Sequence, residues 1–436
     1  MGRPHIVTGI DIGNSFVKTV IAEFDRENLG PKILGMGIAE SHGLRRGMVV
    51  NMDETIRDIA ESVRKAETMA GAKVRRAYVA VNGLHIKSQN SRGVIAVSRA
   101  DNEISTSDLE RVIDAASIVS LPANREIIHI IPKNYVVDGQ EQVKNPLGMK
   151  GVRLEAEVLI IDGLSPYIKN LAKCLNANDI EVAEFIFAPR AASYAVLDKN
   201  QMEHGVLNLD LGGGVSTLSF FHEGELVHAS TMPVGSRHIT NDLAVALRTS
   251  MDIAEEVKLR HGFTGVNLTS VKTKAAAAAN KKDDIDLSEI LGEEDFIIPR
   301  KNIGRVVEAR VGEVFDMLQE EMKRVAHPAL IPAGIVLTGG GAKLPGLAMF
   351  VKEKLKLPVR VGMRQEWDHS TREGEMPVVS FSDQAADPAL AVAVGLAFYG
   401  IEREFAKSKS EGGGMDFGGS RRVFKNFFGR LKDFMP

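Results

Sequence analysis

The sequence predicts an α/β protein with at least two domains. Three observations carry that prediction. A motif of strand, Asp, glycine turn and strand occurs twice, around Asp11 and around Asp210, 199 residues apart. Segments that read as strands are interspersed along the chain with segments of helical apolar period. A chain of 436 residues is long enough for two or more hydrophobic cores. Hydrophobic content of 44% and charged content of 25% describe a globular chain and not a disordered one. A net charge of −3 gives no global attraction to nucleic acid. The single cysteine, Cys174, excludes a disulfide framework and reads as a small packed hydrophobe.

Residues 5–24 read as two strands around a tight turn. Ile6, Val7, Ile10 and Ile12 precede Gly13, Asn14 and Ser15, and Phe16, Val17, Val20 and Ile21 follow. Residues 52–70 read as a helix, with Ile56, Ile59, Ala60 and Val63 on one face, and 74–81 as a strand. Residues 83–162 mix short strands with a helix over 108–119, for which Ser107 and Glu110 supply a capping box. Within that block, 145–155 reads as an ordered loop entering a strand. A helix over 166–178 and a strand over 182–187 follow. The opening theme then returns: strand 206–211, Gly212, Gly213 and Gly214, strand 216–221, a Glu223-Gly224 turn, and strand 226–230. Residues 236–261 and 302–325 read as helices, and the alanine run within 274–284, flanked by charge, as an exposed insertion. Strand 335–337 runs into Gly339, Gly340 and Gly341 ahead of a helix over 347–356, and 389–399 is a last apolar helix. From Ala406 the core pattern stops, and 406–419 reads as a flexible linker.

The two hairpins carry the chemistry. Glycines allow positive φ and close approach, so turn amides at Gly13, Asn14 and Ser15, and at Gly212, Gly213 and Gly214, can hold phosphate oxygens. Lys18, on the second strand of the first hairpin, can reach back as a cation. Asp11 and Asp210 sit at strand ends facing the turns. A bare carboxylate repels phosphate, so this arrangement calls for Mg²⁺ held largely through waters. One such hairpin is an ordinary β-turn; two, followed by the third turn at Gly339, Gly340 and Gly341, point to nucleotide phosphates. Neither a Walker A sequence nor a dinucleotide-binding glycine fingerprint is present.

These turns resemble the phosphate-1, phosphate-2 and adenosine motifs of the actin, hexokinase and heat-shock-chaperone superfamily, and 187–194 and 387–395 resemble its two connecting segments. Within it, NPLGMKGVRLE, SHGLRRGMVVNMDETIRDI, NGLHIKSQNSRGVIAV and the C-terminal segment resemble the FtsA family of bacterial cell-division proteins. The resemblance implies a two-lobed actin-like (ribonuclease-H-like) fold with ATP in the cleft between the lobes. It places a first-lobe core at 1–82 and 163–203 and an inserted subdomain at 83–162. A second-lobe core falls at 204–239 and 331–405, and an outer subdomain at 240–330. Glu255 and Lys258, three apart on a helix and by themselves a plain solvated pair, match positions flanking the nucleotide sugar and base. The resemblance also implies self-assembly, recruitment of later division proteins through 83–162, and docking of the FtsZ C-terminal peptide on 240–330, where Arg300, Lys301 and Arg305 are candidate carboxylate contacts. Hydrolysis is expected to be slow. Ala188 stands where chaperone relatives carry a water-orienting carboxylate, and only Asp210 could substitute in part. The competing readings are an actin-like scaffold of pilus assembly and a small-molecule kinase of the same superfamily.

Residues 420–436 complete the reading. On a helical wheel Val423, Phe424, Phe427, Phe428, Leu431, Phe434 and Met435 fill one arc of about 140°. Arg421, Arg422, Lys425, Arg430 and Lys432 give this segment a charge opposite to that of the whole chain. A cationic amphipathic helix of this kind lies on an anionic membrane surface. No window is long and apolar enough to span one, and the opening residues lack the apolar core of a signal peptide. The expected place is the cytoplasmic face of the bacterial inner membrane, at the division site.

Overall fold

The computed structural model describes residues 5–25, 30–265, 284–292, 296–325, 330–362, 366–367, 379–380 and 386–411. Its frame is one sheet built twice. In the first lobe β1 (His5–Ile12), β2 (Phe16–Asp25) and β3 (Gly30–Glu40) form an antiparallel meander. A small hairpin follows, β4 (Leu44–Arg45) and β5 (Met48–Val49), then helix α1 (Met52–Ala70) and β6 (Arg76–Val81). β6 joins β1 in parallel, and β11 (Glu181–Phe187) joins β6 in parallel, giving the order β11-β6-β1-β2-β3. The second lobe repeats this with β12 (Val206–Leu211), β13 (Ser216–His222) and β14 (Glu225–Met232) as the meander. After the short pair β15 (Asp284–Asp286) and β16 (Ile297–Pro299), β17 (Ile335–Thr338) and β18 (Val359–Val361) add in parallel, in the order β14-β13-β12-β17-β18.

Two helices lie between the sheets and join the lobes. α4 (Ala188–Val196) follows β11 directly, ahead of the short α5 (Lys199–His204), and a final helix runs over Ala391–Glu411. Val206, Phe221, Leu226, Ala229 and Val336 of the second sheet belong to the same buried cluster as Ile10, Val20 and Val79 of the first. The crossing of the two helices is close enough to require glycine. A Cβ on Gly395 would lie 1.9 Å from the Ala191 carbonyl oxygen. The outer part of the second lobe packs α6 (Ser236–Leu247), α7 (Met251–His261) and the long α9 (Arg300–Val325) around Leu243, Val257, Val311 and Phe315. The intervening short helix, Ser288–Leu291, is α8. α10 (Leu347–Leu355) precedes β18, and the final helix is α11.

The block between β6 and β11 forms its own antiparallel sheet. Its strands are β7 (Lys87–Ala96), β8 (Arg125–Val137), β9 (Gln140–Val143) and β10 (Arg153–Leu164), in the order β7-β10-β8-β9. Helix α2 (Thr106–Ser117) covers it, and α3 (Ser165–Asn176) follows it. This subdomain touches both lobes. His129 Nε2 accepts from the Phe187 amide at 2.9 Å, and Ser88 Oγ donates to the Ala229 carbonyl at 2.6 Å. Lys144 Nζ bonds both the Glu223 carbonyl, at 2.7 Å, and Glu223 Oε2, at 2.9 Å.

Four expectations are corrected. The capping box of α2 is built by Ser105 and Asp108, not Ser107 and Glu110. Asp108 is buried and accepts from Ser98, Ser105 and Arg111, so its carboxyl can serve as the reciprocal cap. Residues 236–261 form two helices and not one. Arg248 turns left-handed at φ 53°, and Ser250 caps the second helix by accepting from the Ile253 amide. β3, for which no element was anticipated, is disguised by glycines. Gly37 lies so near α1 that a Cβ would sit 1.8 Å from the Ser62 carbonyl oxygen. The last helix continues through Glu411, into the segment expected to be linker. Once nucleated on the core, a helix extends through good helix formers such as Glu402, Arg403, Glu404 and Lys407 at little cost. Most of the expected insertion, the rest of the linker and the amphipathic segment 420–436 lie outside the described residues.

Candidate functional site

The two hairpin turns meet face to face at the cleft. A Cβ on Gly213 would lie 2.1 Å from Ser15 Oγ, and one on Gly214 would lie 2.9 Å from Asn14 Cγ. These glycines are needed for space and not for positive φ. Gly13, Gly212, Gly213 and Gly214 all avoid the left-handed region, and only Gly339, at φ 82°, occupies it. The turns are held from behind. Gly13 N donates to the Phe16 carbonyl at 3.1 Å, and the Gly212 and Gly213 carbonyls accept from Ser236 N at 2.8 Å and Arg237 N at 2.9 Å, in the first turn of α6. Asn14 Oδ1 accepts from Gly47 N at 2.9 Å.

Strand register decides what faces each aspartate. Asp11 pairs across β1 and β2 with Lys18, and the ammonium lies 3.0 Å from Asp11 Oδ2. Burial on its own would lower the Lys18 pKa. The Asp11 carboxylate, with Asp210 and Asp387 further away, more than offsets it and holds the pKa above the ordinary lysine value. Asp210 pairs across β12 and β13 with Thr217, a neutral residue. Burial, reinforced by the charge of Asp11 and opposed by Lys18, pushes the Asp210 carboxyl up to about 6.

The third turn closes the floor. Gly339 sits against Asp210, where a Cβ would approach Oδ1 to 2.3 Å, and its amide donates to the Pro388 carbonyl at 2.9 Å. At Gly340 a Cβ would meet nothing within 4 Å, so this backbone borders open space in which a flat ring can lie. On the far side, Lys258 Nζ lies 2.6 Å from Glu255 Oε2 and 2.9 Å from Thr240 Oγ1. The pair is not the solvated one its spacing suggests. The Lys258 side chain is only 10% exposed, and burial lowers its pKa.

Asn82, Thr217 and Asp387 also stand at the cleft, outside the predicted set. Asn82 Nδ2 donates across the lobes to Thr217 Oγ1 at 3.0 Å. Asp387 caps the turn of 388–390 by accepting from Ala389 N and receives Lys343 Nζ at 2.7 Å. Only Asp387, in a segment already matched to a connecting motif, had a sequence signal; Asn82 and Thr217 are ordinary polar residues until the lobes are brought together. The basic cluster is more divided than expected. Lys301 and Arg305 are exposed, while Arg300 stacks over Phe263 with its guanidinium 4.8 Å from the ring centroid.

Mg²⁺ fits this donor set only as an ion that keeps much of its water. Asp11 and Asp210 each stand one residue before the end of β1 and β12, next to the turns, and among the described residues no group of three or more His, Cys, Asp or Glu side chains forms a direct cage. Ala188, buried at the start of α4, offers no group to orient water.

A duplicated sheet, facing glycine turns and two aspartates at equivalent strand ends define an actin-like protein of the nucleotide-cleft class. Solved structures agree on the fold. The chain superimposes on the PilM–PilN type IV pilus biogenesis complex with a TM-score of 0.59 at 17% identity, covering 91% of this chain and 98% of that one. It superimposes on MreB5 of Spiroplasma citri bound to ADP with a TM-score of 0.51 at 12% identity, covering 94% and 99%. Two family models match: the SHS2 domain inserted in FtsA over residues 83–162, and cell division protein FtsA over 207–395. The cell division protein FtsA of Pseudomonas aeruginosa is 34% identical over 415 residues, 95% of this chain and 93% of that protein. The chain belongs to the FtsA family of cell division proteins.

Proposed function

We propose that the chain is an ATP-binding adaptor that tethers FtsZ filaments to the membrane during division. The observation that carries the nucleotide part is the face-to-face meeting of the two glycine turns, with Lys18 and Asp11 behind one and Asp210 behind the other. Turn amides and Lys18 hold the phosphates. Asp11 and Asp210 face a hydrated Mg²⁺, which supplies charge neutralisation between carboxylates and phosphates. Gly339, Gly340 and Gly341 back the base, and Glu255 and Lys258 take the sugar side. MreB5, which shares the fold, was solved with ADP.

The site favours a switch over a fast enzyme. With Ala188 inert, Asp210 substitutes only in part in orienting water, and turnover stays below about one per second.

The membrane part rests on the sequence of 420–436, whose apolar arc and five cations suit an anionic surface. A single helix of this size binds reversibly; several on a polymer bind firmly through effective concentration. Lys301 and Arg305 offer exposed cations to the acidic FtsZ C-terminal peptide, and the inserted subdomain offers a surface to neighbouring copies and later division proteins. The test is co-sedimentation with anionic vesicles, with and without ATP and that peptide. Wild-type protein is expected in the pellet, more with ATP, while Phe427→Glu and Phe428→Glu stay in the supernatant. Pelleting of those variants would remove 420–436 as the anchor.

A further inference from the structure

Thr240 was not anticipated as part of any site, yet it lies at the centre of the sugar-side pair. Its side chain is buried, at 1% exposure. The hydroxyl donates to Glu255 Oε2 at 2.5 Å and accepts from Lys258 Nζ at 2.9 Å, while that ammonium also lies 2.6 Å from the same Glu255 oxygen. One hydroxyl with one proton and two lone pairs satisfies both roles at once. The consequence lies in what is left over. Glu255 Oε1 takes part in none of these bonds, and an ammonium has three protons, of which two are used. The closed triangle therefore presents one acceptor and one donor together, which suits a vicinal diol, whose hydroxyls each donate and accept.

Thr240 also connects the two ends of the nucleotide. It stands on α6 one helical turn after Ser236 and Arg237, whose amides hold the carbonyls of Gly212 and Gly213. The helix that braces the second phosphate turn is thus the helix that fixes the carboxylate and ammonium on the sugar side.

We propose that Thr240 is a positioning residue that sets Glu255 and Lys258 for the ribose 2′ and 3′ hydroxyls of the bound nucleotide. The inference rests on the nucleotide reading above and deepens it. A flexible, 42% exposed Glu255 would otherwise lose side-chain entropy on binding; with its rotamer held in advance, the pair engages the diol at lower cost.

The test is calorimetric titration of the full chain with Mg-ATP and with Mg-2′,3′-dideoxy-ATP. Wild-type protein is expected to prefer ATP by about tenfold, the scale of hydrogen bonds to charged groups. Thr240→Val, which keeps the shape and removes the hydroxyl, should bind ATP about tenfold more weakly and dideoxy-ATP within twofold of wild type. Thr240→Ser should restore the preference. A valine variant that keeps the wild-type preference overturns the inference and leaves the nucleotide site standing. So does one that loses both ligands equally, since that marks a merely structural role. If wild-type protein binds both ligands alike, both the inference and the placing of the sugar at Glu255 and Lys258 fall. Should valine lower the melting temperature of the nucleotide-free chain, Thr240→Cys, with similar size and much weaker hydrogen bonds, carries the same expectation.

Discussion

The two hairpins at the cleft share a backbone plan and differ in what stands behind each aspartate. In the first lobe Asp11 faces Lys18 across the pair of strands, and the charges close on each other at 3.0 Å. In the second, Asp210 faces Thr217 and is raised to about 6, chiefly by burial. Two residues back along each strand the contrast repeats. Gly9 has no side chain, and α11 packs on it so closely that a Cβ would lie 2.5 Å from the Ala393 carbonyl oxygen. Asn208 fills the equivalent place, accepting from Thr338 Oγ1 at 3.2 Å through Oδ1 while its Nδ2 has no partner among the described residues. The difference teaches how one repeated scaffold divides its work. The first hairpin pairs its carboxylate with a cation at the cleft, and the second keeps a raised carboxylate with a neutral residue across from it.

Making the first hairpin copy the second tests this most severely. Lys18→Thr leaves Asp11 unpaired beside Asp210 and removes the buried cation, so ATP affinity should fall on the order of a hundredfold by calorimetry. Affinity within a factor of three of wild type would mean that the turn amides alone hold the phosphates. The positions behind the aspartates give the next effect. Gly9→Ala should lower the stability of the nucleotide-free chain by about 3 kcal/mol, because neither α11 nor β1 can yield. The double replacement Asn208→Leu with Thr338→Val should cost less than about 1 kcal/mol, because donor and acceptor are removed together. Denaturant melts of both variants decide whether the contrast is real. Asp210→Asn should keep ATP binding within about threefold and slow turnover about tenfold, as read by phosphate release; unchanged turnover would move the water-positioning role elsewhere.

The smallest effect lies at the bridge between the hairpins. His85, three residues after the bridging Asn82, is buried against Tyr167, with the Asn82 and Gly47 carbonyls facing its ring. Burial, aided by the nearby Arg125 cation, pushes its pKa down to about 4. The folded-state value lies below the unfolded one, so the unfolded chain binds the proton first and stability falls as pH drops from about 6.5 toward 4. Between about pH 7 and pH 5.5 this amounts to about 1 kcal/mol. His85→Gln should flatten that limb of the stability profile, and an equally steep limb in the variant would assign it to other groups.

Much of this was legible in the sequence because it is local. Helix 52–70 and strand 206–211 fall where apolar period and turn residues place them, and the glycine turns stand out by composition. The failures have a common cause. β3 was hidden because Gly35 and Gly37 answer to α1 and not to their own strand. The break after Leu247 depends on one left-handed residue, Arg248. Asn82, Thr217 and Thr240 are common polar residues whose neighbours are 15 to 135 positions away.

By itself, the sequence determined the strand–Asp–turn–strand repeat, the spacing that sets Lys18 opposite Asp11, and the charge and apolar arc of residues 420–436. Backbone propensity and side-chain period act over a few residues, so the local sequence suffices for these. Only the tertiary structure decided that the turns face each other, that burial raises Asp210, and that Thr240 joins Glu255 to Lys258. The first needs the two lobes to pack around α4 and α11, and the others depend on burial and on the packing of α6 against α7, which no short-range pattern encodes.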